Sequence, residues 1–180
     1  MLRFVGRIVV ILTVAVAALL IYAATRPGSF HVERSLAIKA PAEKIFPLID
    51  DFHKWAAWSP YEKLDPNMSR TIAGADSGRG ATYEWSGNGK AGAGRMEITD
   101  ATPPSAIVIK LDFTKPFETS NTVTFTLKPE GDGTNVTWAM DGPSPYIARV
   151  MGIFVNMDTM IGKDFETGLD SLKAAAESAQ

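Results

Sequence analysis

The sequence predicts an α+β domain, a seven-stranded antiparallel sheet covered by one long C-terminal helix, standing behind an N-terminal membrane-spanning helix. Three observations predict it. Apolar and polar residues alternate in a first run over about 30–39 and in short runs from 67 to 142, apolar residues recur at steps of three and four from position 147 onward, and an uncharged apolar block fills the N-terminus.

The N-terminal block, IVVILTVAVAALLIYAAT, lies between Arg7 and Arg26, and its only polar members are Thr13, Tyr22 and Thr25. As a helix it reaches about 27 Å, close to the hydrocarbon thickness of a bilayer. A cleaved leader needs a shorter apolar core and small residues at both positions of its cleavage motif; Ile21 and Tyr22 spoil the sites around Ala23 and Ala24, so the block reads as an anchor. Arg3, Arg7 and the terminal amine precede it, whereas Arg26 and Arg34 follow. The positive-inside bias therefore leans toward a single pass through a cytoplasmic (inner) membrane, with the C-terminal domain on the outer, periplasmic side. Residues 1–27 form the tip and the spanning helix, and 28–180 form one domain large enough to bury a core. Without residues 1–27 the chain keeps 15 basic and 20 acidic residues, a net charge of −5. An acidic body with no Lys/Arg run lacks the electrostatic footprint of a nucleic-acid binder. The absence of cysteine excludes disulfides, thiolate catalysis and Cys-containing zinc sites.

The elements follow in order. After Pro27-Gly28, the run FHVERSLAIKA puts Phe30, Val32, Leu36 and Ile38 on one strand face and Glu33, Ser35 and Lys39 on the other, with Arg34 an exception on the apolar face. Pro41 opens a short helix with an apolar stripe of Ile45, Phe46, Leu48 and Ile49, which Pro47 kinks or ends early. A second short helical stretch covers Asp51 to Trp58 and stops before Pro60. Six strands come next: Met68–Ala73, then runs centred on Tyr83, Met96, Ile109, Phe125 and Trp138. The gaps carry turn residues such as Gly78, Gly80, Gly87-Asn88-Gly89, Pro103-Pro104 and Glu130-Gly131-Asp132-Gly133, the mark of antiparallel hairpins. Ser144 and Pro145 then start a helix whose stripe of Ile147, Val150, Met151, Phe154, Met157, Ile161, Phe165, Leu169, Leu172 and Ala176 runs to the end. Thirty residues of it would extend about 45 Å, enough to cross a whole sheet.

This order, with VERSLAIKAPAEKIF, DFHKWAAWSPYEKLDP, ATYEWSG, GTNVTWAMDG and GKDFETGLDSLK as they stand here, resembles the polyketide cyclase/dehydrase group of the START-like (SRPBCC, Bet v 1-like) superfamily over residues 30–178. The resemblance implies a helix-grip fold, in which the sheet curls round the C-terminal helix and leaves a deep apolar cavity for lipids, sterols, polyketides or similar molecules. No catalytic set belongs to the superfamily as a whole, so the resemblance carries over no catalytic residue.

The residues themselves ask for no reaction. Gly87-Asn88-Gly89-Lys90-Ala91-Gly92 fits a dinucleotide fingerprint in letters, but a strand rather than a helix follows it, so it is a hairpin loop. His53 stands apart from the chain's other histidine and reads as a surface or hydrogen-bonding residue. The carboxylate pairs Asp50-Asp51, Glu62 with Asp65, and Asp164 with Glu166 lie in polar contexts and read as solvated. No metal or other cofactor is expected.

An inward-facing apolar inventory remains. Trp55 and Trp58 sit three apart on one helix face and serve as a core plug or a pocket wall, the plug being preferred. The sheet adds Tyr83, Trp85, Met96, Ile98, Ile109, Phe113, Phe117, Phe125, Trp138 and Met140, and the helix adds Phe154, Met157, Ile161 and Phe165. Gly162 and Gly168 would leave gaps along that helix. The expectation is a membrane-anchored domain that binds a hydrophobic small molecule or lipid between sheet and C-terminal helix, with these residues (Phe117 apart) lining the space. The alternatives are a cyclase- or dehydratase-like enzyme, marked by a buried polar group such as Tyr83 or Arg95, and a module that docks an unspecified protein partner.

Overall fold

The computed structural model describes residues 2–178. In order these form α1 (Leu2–Thr25), β1 (Ser29–Ile38), α2 (Ala42–Ile49), two 3₁₀ turns (Phe52–Ala57 and Pro60–Lys63), β2 (Ser69–Gly74), β3 (Ala81–Ser86), β4 (Ala93–Thr102), β5 (Ala106–Lys115), β6 (Thr119–Glu130), β7 (Gly133–Pro143), α3 (Tyr146–Met151) and α4 (Met157–Ser178). The seven strands make one sheet in the order β1-β7-β6-β5-β4-β3-β2, and every neighbouring pair is antiparallel. This is the expected α+β helix-grip architecture. The alternation visible in the sequence arises because only one sheet face is covered. A register shift in β4 between Ile98 and Asp100 interrupts its ladder with β5.

Pairing aligns the inner residues in rows. Arg34, Trp138, Phe125 and Ile107 form one row; Val32, Met140, Val123, Ile109 and Ile98 form the next; Asn121, Leu111, Met96 and Tyr83 form a third. A fourth, Phe113, Gly94 and Trp85, lies at the sheet end where β1 begins and β7 finishes. Because β1 follows α1 directly, that end adjoins the apolar helix.

α4 packs on β1, α2 and β7. Trp138 lies flat on Phe165, ring centroids 4.2 Å apart at 10°, and Phe125 and Trp58 close round Trp138 at 4.9 and 5.6 Å. Buried aromatic rings in such contacts contribute about 0.5–1.5 kcal/mol per pair beyond their area. The two α4 glycines are filled rather than hollow. A methyl group on Gly168 would lie 2.6 Å from the Trp138 ring and 3.0 Å from Pro60, and one on Gly162 would land on the guanidinium of Arg34. That explains Arg34 as the strand exception: its Nε donates to Glu166 at 2.8 Å and its Nη2 to Asp158 at 3.0 Å, tying β1 to the first turns of α4.

The single C-terminal helix expected from the sequence is two helices. Gly152 N–H closes α3 on Ala148 O, the chain turns through residues 152–156, and Asn156 starts α4 by accepting from Thr159 N–H at 3.1 Å. α3 turns away from the sheet and packs on α1.

Gly168→Ala should lower the urea midpoint of the full chain in detergent. The methyl over-packs Trp138 at a cost of about 1–3 kcal/mol, more than the ~1 kcal/mol of helix propensity it adds. A raised midpoint would show that the Trp138–Phe165 stack yields freely.

Candidate functional site

The indole donors of residues 52–66 are used locally. Trp55 Nε1 donates to Ile49 O at 2.8 Å and Trp58 Nε1 to Leu48 O at 2.7 Å, so two rings satisfy carbonyls left open at the C-terminal end of α2. Both rings are buried, and with Phe52, Phe125, Trp138 and Phe165 they fill the space between sheet and α4. This half of the inner face is a solid plug.

Burial declines row by row away from it. Phe125 is 0% exposed, Met140 7% and Leu111 9%, while Met96, Phe113 and Trp85 are only half-buried. Ile98 and Ile109 sit fully buried between the two regimes, and Ile161 meets the same core from the first turns of α4. Trp85 is held in place: its Nε1 donates to Ala91 O at 2.9 Å, and its ring meets Phe113 edge-on at 5.5 Å and lies across Gly94, where a methyl would strike it. Among the expected lining residues, Phe154 and Met157 stand elsewhere. Phe154 is 73% exposed in the turn between α3 and α4, and Met157 is 38% exposed at the start of α4, because the helix breaks before it reaches the sheet. Phe117 is likewise exposed, in the β5–β6 turn.

The polar groups near this end were not read from the sequence. Asn121 is 6% exposed, and its Oδ1 has no partner among the described residues. It lies over Gly142, where a methyl would collide with both the Asn121 amide and the Phe30 ring. A buried amide oxygen without a partner is costly, and Trp138 Nε1 in the plug is likewise without one among the described residues. Round the outside of the same sheet end runs a shallow, open groove of about 640 Å³ between Phe30, His31, Ser120, Thr122, Asp141 and Gly142.

Asp65 is buried and the Glu62 side chain is only 9% exposed, so neither is solvated as expected. Glu62 accepts from the Tyr83 hydroxyl and from Arg70 Nε at 2.6 Å, and Asp65 accepts from Asn67 N–H at 2.9 Å and Asn88 N–H at 2.8 Å. Glu62 ties the second 3₁₀ turn to β2 and β3, and Asp65 ties the chain just after that turn to the β3–β4 loop, constraints with no sign in the local polar sequence. Burial, and then the Glu62 bond, pushes the Tyr83 phenol well above its usual range, so it stays a donor bracing Glu62. Arg95 points outward and pairs with Glu84 and Glu97. His53 is exposed and sits against Asp51, the N-cap of the first 3₁₀ turn. Gly87–Gly92 joins β3 to β4 as a hairpin loop. No group of three or more potential metal ligands occurs among the described residues.

Residues 29–177 match the model of the family described as polyketide cyclase / dehydrase and lipid transport. No curated protein matches the chain. Among solved structures, a protein of Nitrosospira multiformis is similar with a TM-score of 0.60 and 19% identity, over 84% of this chain and 100% of its own. Protein CV1439 of Chromobacterium violaceum follows at 0.59 and 16%, over 84% and 99%. Ara h 8.0201 reaches 0.56 and 12%, over 84% and 99%. At these identities the likeness is one of fold.

The His31 imidazolium donates through Nδ1–H to Asp141 Oδ1 at 2.7 Å, a hydrogen bond that raises its pKa above 6.5. A raised folded pKa contributes stability that is complete below the unfolded value and is lost as pH rises through the folded one. The His31 resonance should therefore titrate above 6.5 by NMR, and Asp141→Asn should bring its midpoint down; a wild-type midpoint at or below 6.5 would mean the pair does not form.

Proposed function

The chain belongs to the polyketide cyclase/dehydrase and lipid transport family, and from that premise we propose that it binds a hydrophobic small molecule or lipid while anchored to a membrane. The decline in burial along the inner face carries the reading. The plug end has no room, whereas Trp85, Met96 and Phe113 keep apolar surface half-covered at the other end, beside Leu111, Met140 and Ile161. A ligand there completes the burial that α4, lying over β1 and β7, does not provide. Each methylene moved from water contributes about 0.8 kcal/mol before the cost of immobilising the ligand. Asn121 is the polar contact that orients it. Of the two polar groups that would mark a catalytic site, the Tyr83 phenol is engaged by Glu62, and Arg95 pairs with Glu84 and Glu97.

Anchoring rests on α1, whose Phe4–Thr25 stretch is long and apolar enough to cross a bilayer, with its side chains largely exposed. In this reading residues 1–27 are the anchor and 28–180 the ligand-binding domain. The bias of the flanking arginines supports an orientation with the N-terminus in the cytoplasm and the domain on the outer side of an inner membrane.

Native mass spectrometry of the full chain, extracted gently from its own membrane, should show an added mass that organic extraction removes. Met96→Trp, which fills the half-covered end, should abolish most of that mass while leaving the plug intact. A wild-type chain that flies bare and takes up no lipid on incubation would end the binding reading. Undiminished uptake by Met96→Trp would move the site elsewhere.

A further inference from the structure

α3 and the turn after it carry apolar side chains that the domain does not use. Ile147 is 60% exposed, Met151 56%, Phe154 73% and Val155 44%, all within ten consecutive residues. A patch of this kind on a folded domain marks a contact surface.

Its surroundings say what it contacts. α3 is fastened to the last turns of α1: the Tyr146 hydroxyl donates to Leu20 O at 2.8 Å, and Arg149 Nη1 donates to Arg26 O at 3.2 Å. The patch therefore adjoins the end of the apolar helix, whose own exposed side chains continue it. The polar rim has the composition of a membrane–water boundary. The Arg26 guanidinium lies over the Tyr22 ring at 5.8 Å, and that of Arg149 over the Tyr146 ring at 5.5 Å. Tyrosines and arginines at this level seat their rings and stems in the interface and their polar ends at the headgroups.

We propose that α3 and residues 152–155 lie in the surface of the phospholipid bilayer, Ile147, Met151, Phe154 and Val155 dipping among the acyl chains and Arg26 and Arg149 meeting the headgroup phosphates. The half-covered sheet end then faces lipid: β1 leaves α1 at that end, β7 leads from it into α3, and the β5–β6 turn presents Phe117, 72% exposed, beside it. A lipid can pass from leaflet to binding site without crossing water. The proposal rests on α1 crossing the membrane, and the experiment tests that premise separately.

The chain contains no cysteine, so a single introduced cysteine bearing an NBD dye reports one site. Full-length Phe154→Cys, Val14→Cys and Asp132→Cys would be labelled and reconstituted into phosphatidylcholine–phosphatidylglycerol vesicles containing nitroxide lipids, with Ile147→Cys as a second reporter should Phe154→Cys misfold. The dye at 154 should emit blue-shifted and lose most of its intensity to nitroxides placed near the headgroup. The dye at 14 should be quenched by nitroxides deep in the chains, and the dye at 132, in the distant β6–β7 turn, by neither. If 14 is quenched while 154 and 147 behave like 132, the interfacial proposal is wrong and the anchor stands. If 14 is unquenched too, the anchor fails and takes the proposal with it.

Discussion

The stack of Trp138 on Phe165 sets where α4 can lie. Two flat rings in face contact require the helix backbone to come close, and Gly168 permits it by offering no side chain where the Trp138 edge and Pro60 sit. Six residues earlier, Gly162 leaves the space that the Arg34 guanidinium occupies between Asp158 and Glu166. One glycine admits an aromatic ring and the other a cation, so α4 is clamped along β1. Trp58 and Phe125 close against the same Trp138 ring, which links the 3₁₀ turns, the sheet and the helix through one indole.

A clamp at one end leaves the other end open. Because α4 lies over β1 and β7, the inner faces of β3, β4 and β5 beyond the plug are covered less completely, and their half-buried side chains are large: Trp85, Met96 and Phe113. Methionine and edge-on aromatic rings can repack round ligands of differing shape. The half-covered end is also where the chain enters from α1 and leaves toward α3, so the topology places it beside the apolar helix. In the proposed reading, delivery and storage of an apolar ligand share one short path.

The fold was legible because its signals are local. Strand alternation follows from an antiparallel sheet covered on one face, and the glycine and proline punctuation of the hairpins accompanies it. The break between α3 and α4 escaped because Phe154, Met157 and Ile161 continue the helical spacing across it. An apolar stripe does not say whether it faces a core or a lipid, although Gly152 and Asn156 carry the stop and start signals of two helices. Arg34 could be seen only as an exception, since its partners lie 124 and 132 positions away. Glu62 and Asp65 looked solvated because their neighbours in sequence are polar, while the strands that bury them arrive later in the chain. Asn121 gave no sign at all, as an asparagine in an alternating strand carries no mark of being unsatisfied.

In the proposed reading the plug end is closed and the end beside the apolar helix takes the ligand. Hydrogen exchange of the full chain in its native membrane, compared with the delipidated protein, tests it most directly. Peptides covering residues 93–98 and 111–121 should lose protection on lipid removal, while those covering 123–127, 136–138 and 165–172 should stay unchanged. A loss of protection centred on the Trp138–Phe165 stack instead would place the ligand inside the plug and contradict the account.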